Sequence, residues 1–94
     1  MKTFWTPRAL RSLANIHQHI AADNLSAADL LRDRALEFVE TKLAAHPLVG
    51  RPGRMTGTRE SVVHRNYIIV YRVIDDVIEI LTVRHVAQKW PSQF

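Results

Sequence analysis

The chain has 94 residues, 47% apolar and 23% charged, and this composition predicts a single globular domain spanning residues 1–94. It contains no cysteine, no apolar run long enough to span a membrane and no secretory signal, so we expect a cytoplasmic protein without disulfides, thiolate chemistry or membrane contact. Its net charge of +4 is concentrated between residues 46 and 72, where five arginines stand against one acid, Glu60, and this favours an anionic partner.

The first predicted elements are a short strand and a helix. Residues 2–6 alternate polar and apolar side chains, which is typical of a strand. Thr6 followed by Pro7 is a helix-start signal, because a hydroxyl can cap the helix and proline suits its first position. Apolar residues then recur at helical spacing until about Ala22, so this first helix is amphipathic.

A second amphipathic helix follows after a few polar residues. Ser26 is predicted to cap it, with Asp29 three residues later in the acidic position of a capping box. His46-Pro47 is predicted to stop it, because proline cannot continue the hydrogen-bond ladder. Two amphipathic helices joined by a short connection form a helical hairpin.

The segment LVGRPGRMTGTRE, residues 48–60, holds every glycine of the chain and three of its arginines. We interpret it as both a connector and a binding loop. Its glycines set the path of the backbone, and they are Gly50, Gly53 and Gly57. Its arginines face a partner, and they are Arg51, Arg54 and Arg59.

After this connector the hydrophobic period changes from about 3.6 to 2, which predicts strands at residues 60–64, 67–74 and 77–86. Asp75-Asp76 suits a tight hairpin between the last two. The predicted core face of the last strand comprises Ile78, Ile80, Thr82 and Arg84. The expected fold is therefore α+β: an N-terminal strand, a two-helix hairpin, and a three-stranded antiparallel meander with the helices on one face.

Several segments in this order resemble the RelE/ParE family of bacterial toxins from type II toxin–antitoxin systems. They are WTPRAL, LRSLANIHQHIA, AADLLRDRALEFVETKLAAHP, the connector, YIIVYRV and LTVRHVAQKWP. The resemblance covers nearly the whole chain and implies a helical hairpin on a small, mostly antiparallel sheet, which agrees with the order above. It also implies a co-expressed antitoxin that wraps the toxin, and no cofactor or metal.

The resemblance implies one of two activities. RelE-like members cut mRNA on the ribosome without a metal, which requires a base, an acid and cations for the phosphate. The candidate catalytic residues for such a nuclease are Arg59, His64, Arg72 and His85. ParE-like members inhibit DNA gyrase and have no known catalytic constellation.

Two departures from the nuclease pattern favour the ParE-like activity. An arginine that many RelE-like nucleases carry near the start of the aromatic strand falls here at Ile68, and Trp90 is the residue nearest their C-terminal tyrosine. We therefore expect a gyrase inhibitor, with a ribosome-dependent mRNA endonuclease as the alternative and a non-toxic basic domain that binds RNA or protein as a third hypothesis. The residues expected to bind the target or the antitoxin are Arg51, Arg54, Arg59, Arg65, Arg84 and Trp90.

Overall fold

The computed structural model describes residues 1–88, which form two helices and a five-stranded sheet. The elements are β1 (Lys2–Trp5), α1 (Pro7–Ala21), α2 (Leu25–Phe38), β2 (Arg51–Pro52), β3 (Arg59–His64), β4 (Tyr67–Ile74) and β5 (Val77–His85). The strand order is β1-β5-β4-β3-β2, with β1 parallel to β5 and every other pair antiparallel. The predicted α+β fold is confirmed, and the connector adds a short strand, β2, that the sequence did not predict.

The two helices begin at different kinds of cap. Thr6 caps α1 as predicted, since its hydroxyl accepts the N–H of Ala9 at 3.1 Å. The cap of α2 is Asn24, whose side chain accepts the N–H of Ala27 at 3.0 Å, so the prediction of Ser26 was wrong. Asparagine caps as well as serine does, and the extended backbone of Asn24 already turns its amide towards the next N–H groups.

The two helices form the predicted hairpin. Neither helix within residues 1–88 is long and apolar enough to cross a membrane. His17 near the end of α1 lies 2.8 Å from Asp29 near the start of α2, which places the helices side by side. A π-helical turn, Val39–Leu43, continues α2 and was not predicted. Thr41 donates its hydroxyl to the Glu37 carbonyl at 2.7 Å within this region, and such back-bonding competes with the regular ladder.

A β-bulge in β5 changes which side chains meet the helices. The register of β5 against β4 shifts by one residue at Leu81. Ile78 and Ile80, before the shift, pack on the helices as predicted, but beyond it Val83 takes that place. The prediction that Thr82 and Arg84 share this face was therefore wrong, because a bulge reverses the alternation of side chains. The same strand ends at His85, one residue before its predicted end.

The hydrophobic core lies between the helices and one face of the sheet. Its buried residues are Ala9, Leu13, Ala35, Val39, Leu43, Ile69, Tyr71, Ile78, Ile80 and Val83. Burial of each large apolar side chain contributes about 1.5–3 kcal/mol, so this cluster is a large favourable term in folding. A smaller cluster of Ile68, Val70 and Leu81 lies on the opposite face of the sheet.

Candidate functional site

The end of β5 lies beside α1 instead of beside another strand. β1 leaves the sheet at Thr6, whose backbone N–H and hydroxyl donate to the Ile80 carbonyl at 3.1 Å and 2.8 Å. Further along α1, the Ser12 hydroxyl accepts the Val83 N–H at 2.9 Å and donates to the Ala9 carbonyl at 2.9 Å. A helix side chain thus satisfies the strand edge that β1 leaves uncovered, and the N-terminal half of α1 flanks the end of β5.

Three arginines line the cleft between α1 and the end of β5, which we call the arginine cleft. Its volume is about 340 Å³, and its lining comprises Arg8, Arg11, Ser12, Asn15, Ile16, Thr82, Val83, Arg84 and Gln88. Arg84 is only 7% exposed, whereas Arg8 and Arg11 are exposed. Burial lowers the pKa of Arg84, and the positive charges of Arg8 and Arg54 lower it further. Three of the described lining residues are arginines, and none is acidic.

A second cleft, of about 350 Å³, adjoins the arginine cleft and is called here the histidine cleft. It is lined by Asn15, Ile16, His19, Tyr67, His85 and Gln88, and it shares three of these with the arginine cleft. Tyr67 and His85 meet edge to face, with ring centroids 5.1 Å apart. Nδ1 of His85 accepts the Ala87 N–H at 3.0 Å, so a neutral His85 ring carries its proton on Nε2.

Both predicted catalytic histidines flank Tyr67 across the sheet. Tyr67 is paired with His64 of β3 on one side and with His85 of β5 on the other. Paired residues of neighbouring strands point to the same face, so these three side chains form one row on the helix side of the sheet. The Arg84 side chain points to the opposite face of the sheet, because neighbouring residues of a strand point to opposite faces.

Arg59 holds the connector against the sheet. Its Nη1 donates to the Gly50 carbonyl at 2.8 Å and to the Leu48 carbonyl at 3.5 Å. The fully buried Tyr71 completes this contact, since its hydroxyl accepts the Gly50 N–H and donates to the Pro47 carbonyl, each at 2.9 Å. Burial raises the pKa of Tyr71, and the Gly50 hydrogen bond and the Arg59 charge offset part of that rise.

Three further arginines of the basic segment, residues 46–72, also have defined contacts. Arg51 donates from Nη2 to the buried Glu60 carboxylate at 2.9 Å, and the Arg54 backbone N–H donates to the other oxygen of Glu60 at 3.3 Å. Arg72 forms an ion pair with Glu79, at 2.7 Å from Nη2. The single acid of the basic segment therefore organises the connector from a buried position.

Two predicted binding residues, Arg65 and Trp90, remain to be located. Arg65 is exposed in the turn between β3 and β4, where its φ of 49° is left-handed. Trp90 falls outside the described residues. Of the residues predicted to bind a partner, the structure brings Arg54 and Arg84 into one charged neighbourhood.

The sequence interpretation missed Arg8 and Arg11, which lie outside the basic segment. Their spacing from each other and from Asn15 is three and four residues, which places all three on one face of a helix. This shared helix face was the available sequence signal. It indicates a binding surface only once β5 is known to lie beside α1. Among residues 1–88, no three histidine or acidic side chains converge as a possible metal site.

Sequence comparison finds relatives among toxins. Residues 3–90 match the family model described as the ParE toxin of the type II toxin–antitoxin system parDE. A putative toxin, Y4kP, from Sinorhizobium fredii is 48% identical over 94% of this chain and 91% of its own length. Toxin RelE2 from Caulobacter vibrioides is 37% identical over 89% of this chain and 93% of its own.

Structure comparison finds the same fold in two toxin–antitoxin systems. A chain from the chromosomal ParDE TA system of P. aeruginosa superposes with a TM-score of 0.78 at 26% identity, covering 92% of this chain and 96% of that one. A chain from the toxin–antitoxin complex RelBE2 of Mycobacterium tuberculosis superposes with a TM-score of 0.63 at 29% identity, covering 89% and 95%.

Proposed function

The chain belongs to the ParE toxin family of type II toxin–antitoxin systems, and from that premise we propose that it arrests growth by inhibiting DNA gyrase. A cognate antitoxin would neutralise it by direct binding. The similar structures of the ParDE system and of the RelBE2 toxin–antitoxin complex support such a partner. The arginines of the connector and of the arginine cleft are the groups we expect to meet an acidic antitoxin or the target.

The candidate cations do not gather around the two candidate catalytic histidines, His64 and His85. This observation supports gyrase over mRNA as the target. Arg59 is engaged with the connector carbonyls, and Arg72 is engaged with Glu79. His64 and His85 lie on the helix face, whereas Arg84 points to the other face. Ile68 is 1% exposed at the position where many RelE-like nucleases carry an arginine, so no cation takes that place.

A specific observation also supports the alternative of a ribosome-dependent mRNA endonuclease. The histidine cleft holds His85 and His19 and shares part of its wall with the arginine cleft. A histidine next to bound phosphate could act as an acid or a base without a metal. The relative named RelE2 makes this alternative worth testing in parallel.

Purified protein should be assayed against gyrase supercoiling of relaxed plasmid and against ribosome-bound mRNA. We expect inhibition of supercoiling by the wild-type chain and no mRNA cleavage. The variant His85→Ala tests the alternative, and His46→Ala is its matched control because His46 is exposed at the end of the helical region. Unchanged supercoiling, together with mRNA cleavage that His85→Ala abolishes and His46→Ala preserves, would replace gyrase with mRNA as the target.

Induced expression of the chain, alone and together with a candidate antitoxin encoded next to it, tests the proposed partner. We expect growth arrest from the chain alone, rescue by co-expression, and co-purification of the two proteins. Absence of arrest from a folded, well-expressed chain would instead support the third hypothesis, a basic binding domain without toxicity.

A further inference from the structure

We propose that two copies of this chain form a symmetric dimer by antiparallel pairing of their β1 strands, which joins the two sheets into one. β1 is the end strand of the sheet formed by residues 1–88. We call the side of Lys2–Trp5 that faces away from β5 the open edge. This inference goes beyond the proposed function, since neither antitoxin binding nor inhibition of gyrase requires a dimer.

The backbone of β1 turns hydrogen-bonding groups towards the open edge. The Thr6 N–H donates to the Ile80 carbonyl of β5 at 3.1 Å, so the N–H of Thr6 faces β5. Backbone groups along a strand alternate between its two sides, so the N–H and C=O groups of Thr3 and Trp5 face away from β5. Within residues 1–88, no other strand pairs with this side of β1. Such a row of groups is a template for pairing with another chain.

The other end of the sheet is protected against such pairing. β2 covers Arg59 and Glu60 of β3, and its Pro52 has no N–H to donate. Further along β3, the register against β4 shifts between Val62 and His64, and a bulge of this kind turns an edge away from a new partner. β1 contains neither a proline nor a bulge. The open edge is therefore the side of the sheet at which a strand can be added.

The sequence of β1 is complementary to itself when two copies pair about Thr3. A two-fold axis at this residue places Thr3 opposite Thr3 of the second copy, and Lys2 opposite Phe4 of the second copy. The outward groups of the two Thr3 residues then exchange hydrogen bonds, and the side chains of Lys2 and Phe4 approach more closely, as in any non-hydrogen-bonded pair. Pairs of threonines across strands, and a cation against an aromatic ring, are both stabilising. Pairing about Phe4 would instead oppose Lys2 to Thr6, which already caps α1.

The surface beside the open edge offers apolar contact and balanced charge. Phe4 is 51% exposed and Ile74 is 42% exposed, and both line a cleft of about 510 Å³. Lys2 lines the same cleft together with the acids Asp75 and Glu79. Each lysine that pairing brings to the dimer interface is therefore accompanied by two acids of its own chain, so net charge does not oppose association.

Sedimentation velocity between about 10 µM and 1 mM protein tests the dimer, because the interface is small and small interfaces are weak. We expect the weight-average sedimentation coefficient of the wild-type chain to rise from that of a monomer towards that of a dimer. Thr3→Pro should remain monomeric, since proline removes an N–H that faces the open edge and is tolerated on an edge strand. Circular dichroism confirms that each variant is folded before association is compared.

A charge substitution with a matched control tests the proposed interface. Phe4→Lys should raise the dissociation constant of the dimer by at least about tenfold, because like charges would then lie directly opposite each other. Val62→Lys introduces the same charge at an apolar side chain of β3 that is 55% exposed, so it is a change of similar kind near the other end of the sheet. It should leave the dissociation constant unchanged.

Disulfide cross-linking tests the register, since the chain has no cysteine of its own. In the proposed dimer the Cα atoms of the two Thr3 residues are about 5.5 Å apart, whereas the two Phe4 residues lie on a diagonal at about 7–8 Å. A disulfide requires Cα atoms roughly 4.4–6.8 Å apart. Thr3→Cys should therefore form a covalent dimer on oxidation, and Phe4→Cys should not.

Four results would overturn the proposal. They are a wild-type chain that stays monomeric throughout the concentration range, a dimer that persists in Thr3→Pro, equal weakening by Phe4→Lys and Val62→Lys, and cross-linking of Phe4→Cys in place of Thr3→Cys. A monomeric chain whose binding to a cognate antitoxin is lost in Thr3→Pro would assign the open edge to the antitoxin instead. Inhibition of gyrase by a chain that does not dimerise would refute this inference alone. A dimer that affects neither gyrase nor mRNA would refute only the proposed target.

Discussion

The hydroxyl of Tyr71 is the contact that fixes the connector to the core, and Tyr71→Phe removes that hydroxyl alone. The ring keeps its buried position, so the loss of apolar burial is negligible. Two partners lose their hydrogen bonds: the Gly50 N–H, in a buried contact, and the Pro47 carbonyl, in a partly buried one.

The expected cost follows from the burial of these two partners. A buried donor without an acceptor costs about 1–3 kcal/mol, and a partly buried carbonyl that water can reach loses about 0.5–1 kcal/mol. The sum is about 1.5–4 kcal/mol, a large share of the roughly 5–14 kcal/mol expected for a domain of this length. The melting temperature should fall by about 6–30 °C.

Urea unfolding followed by circular dichroism measures this cost, and the slope m should stay unchanged because the exposed area is the same. Tyr67→Phe is the matched control, since the Tyr67 hydroxyl makes no hydrogen bond within residues 1–88 and its loss should cost less than about 0.5 kcal/mol. Equal costs for the two variants would refute the reasoning.

The raised pKa of Tyr71 adds a pH signature, because the folded state keeps a proton that the unfolded chain has lost. The free energy of unfolding should fall as the pH rises above about 10, and less steeply in Tyr71→Phe.

Three further substitutions test local features of the fold by the same urea measurement. Asn24→Ala should cost about 1 kcal/mol by removing the cap of α2, whereas Ser26→Ala should stay within about 0.5 kcal/mol; the reverse order would restore Ser26 as the cap. Ser12→Ala should cost about 1–2 kcal/mol, because the Val83 N–H loses its acceptor, and a neutral result would mean that water replaces the hydroxyl. Gly57→Ala should cost about 1–2 kcal/mol through its φ of 82° alone, since nothing lies within 4 Å of the added methyl; a stabilising effect would contradict this backbone assignment.

Features of the fold that depend on local chemistry could be predicted from the sequence. The Thr6-Pro7 start of α1 and the strand β4 are examples, because capping and alternation act over a few residues. The bulge at Leu81 could not be predicted, since it depends on how β5 aligns with β4. The parallel pairing of β1 with β5 likewise depends on tertiary packing and leaves no local pattern.

The candidate site was harder to predict, because the role of an arginine depends on its neighbours. Arg59 and Arg54 occur in the same segment, yet Arg59 is engaged with carbonyl groups while Arg54 lies near Arg84. Local sequence does not distinguish these outcomes. Arg8 and Arg11 line the arginine cleft because α1 lies along the part of the β5 edge that β1 does not cover. This arrangement is a consequence of the topology.

The pairing of β1 with β5 also sets when the fold can be completed during synthesis. Thr6 and Ile80 are joined by a hydrogen bond across 74 positions of the chain, and the hairpin and the other strands lie between them. At about 5–20 residues per second, a ribosome needs roughly 4–15 s to make that stretch. The edge of β5 and the arginine cleft therefore cannot assemble on a partly made chain. A growing chain therefore lacks both clefts until β5 has been translated.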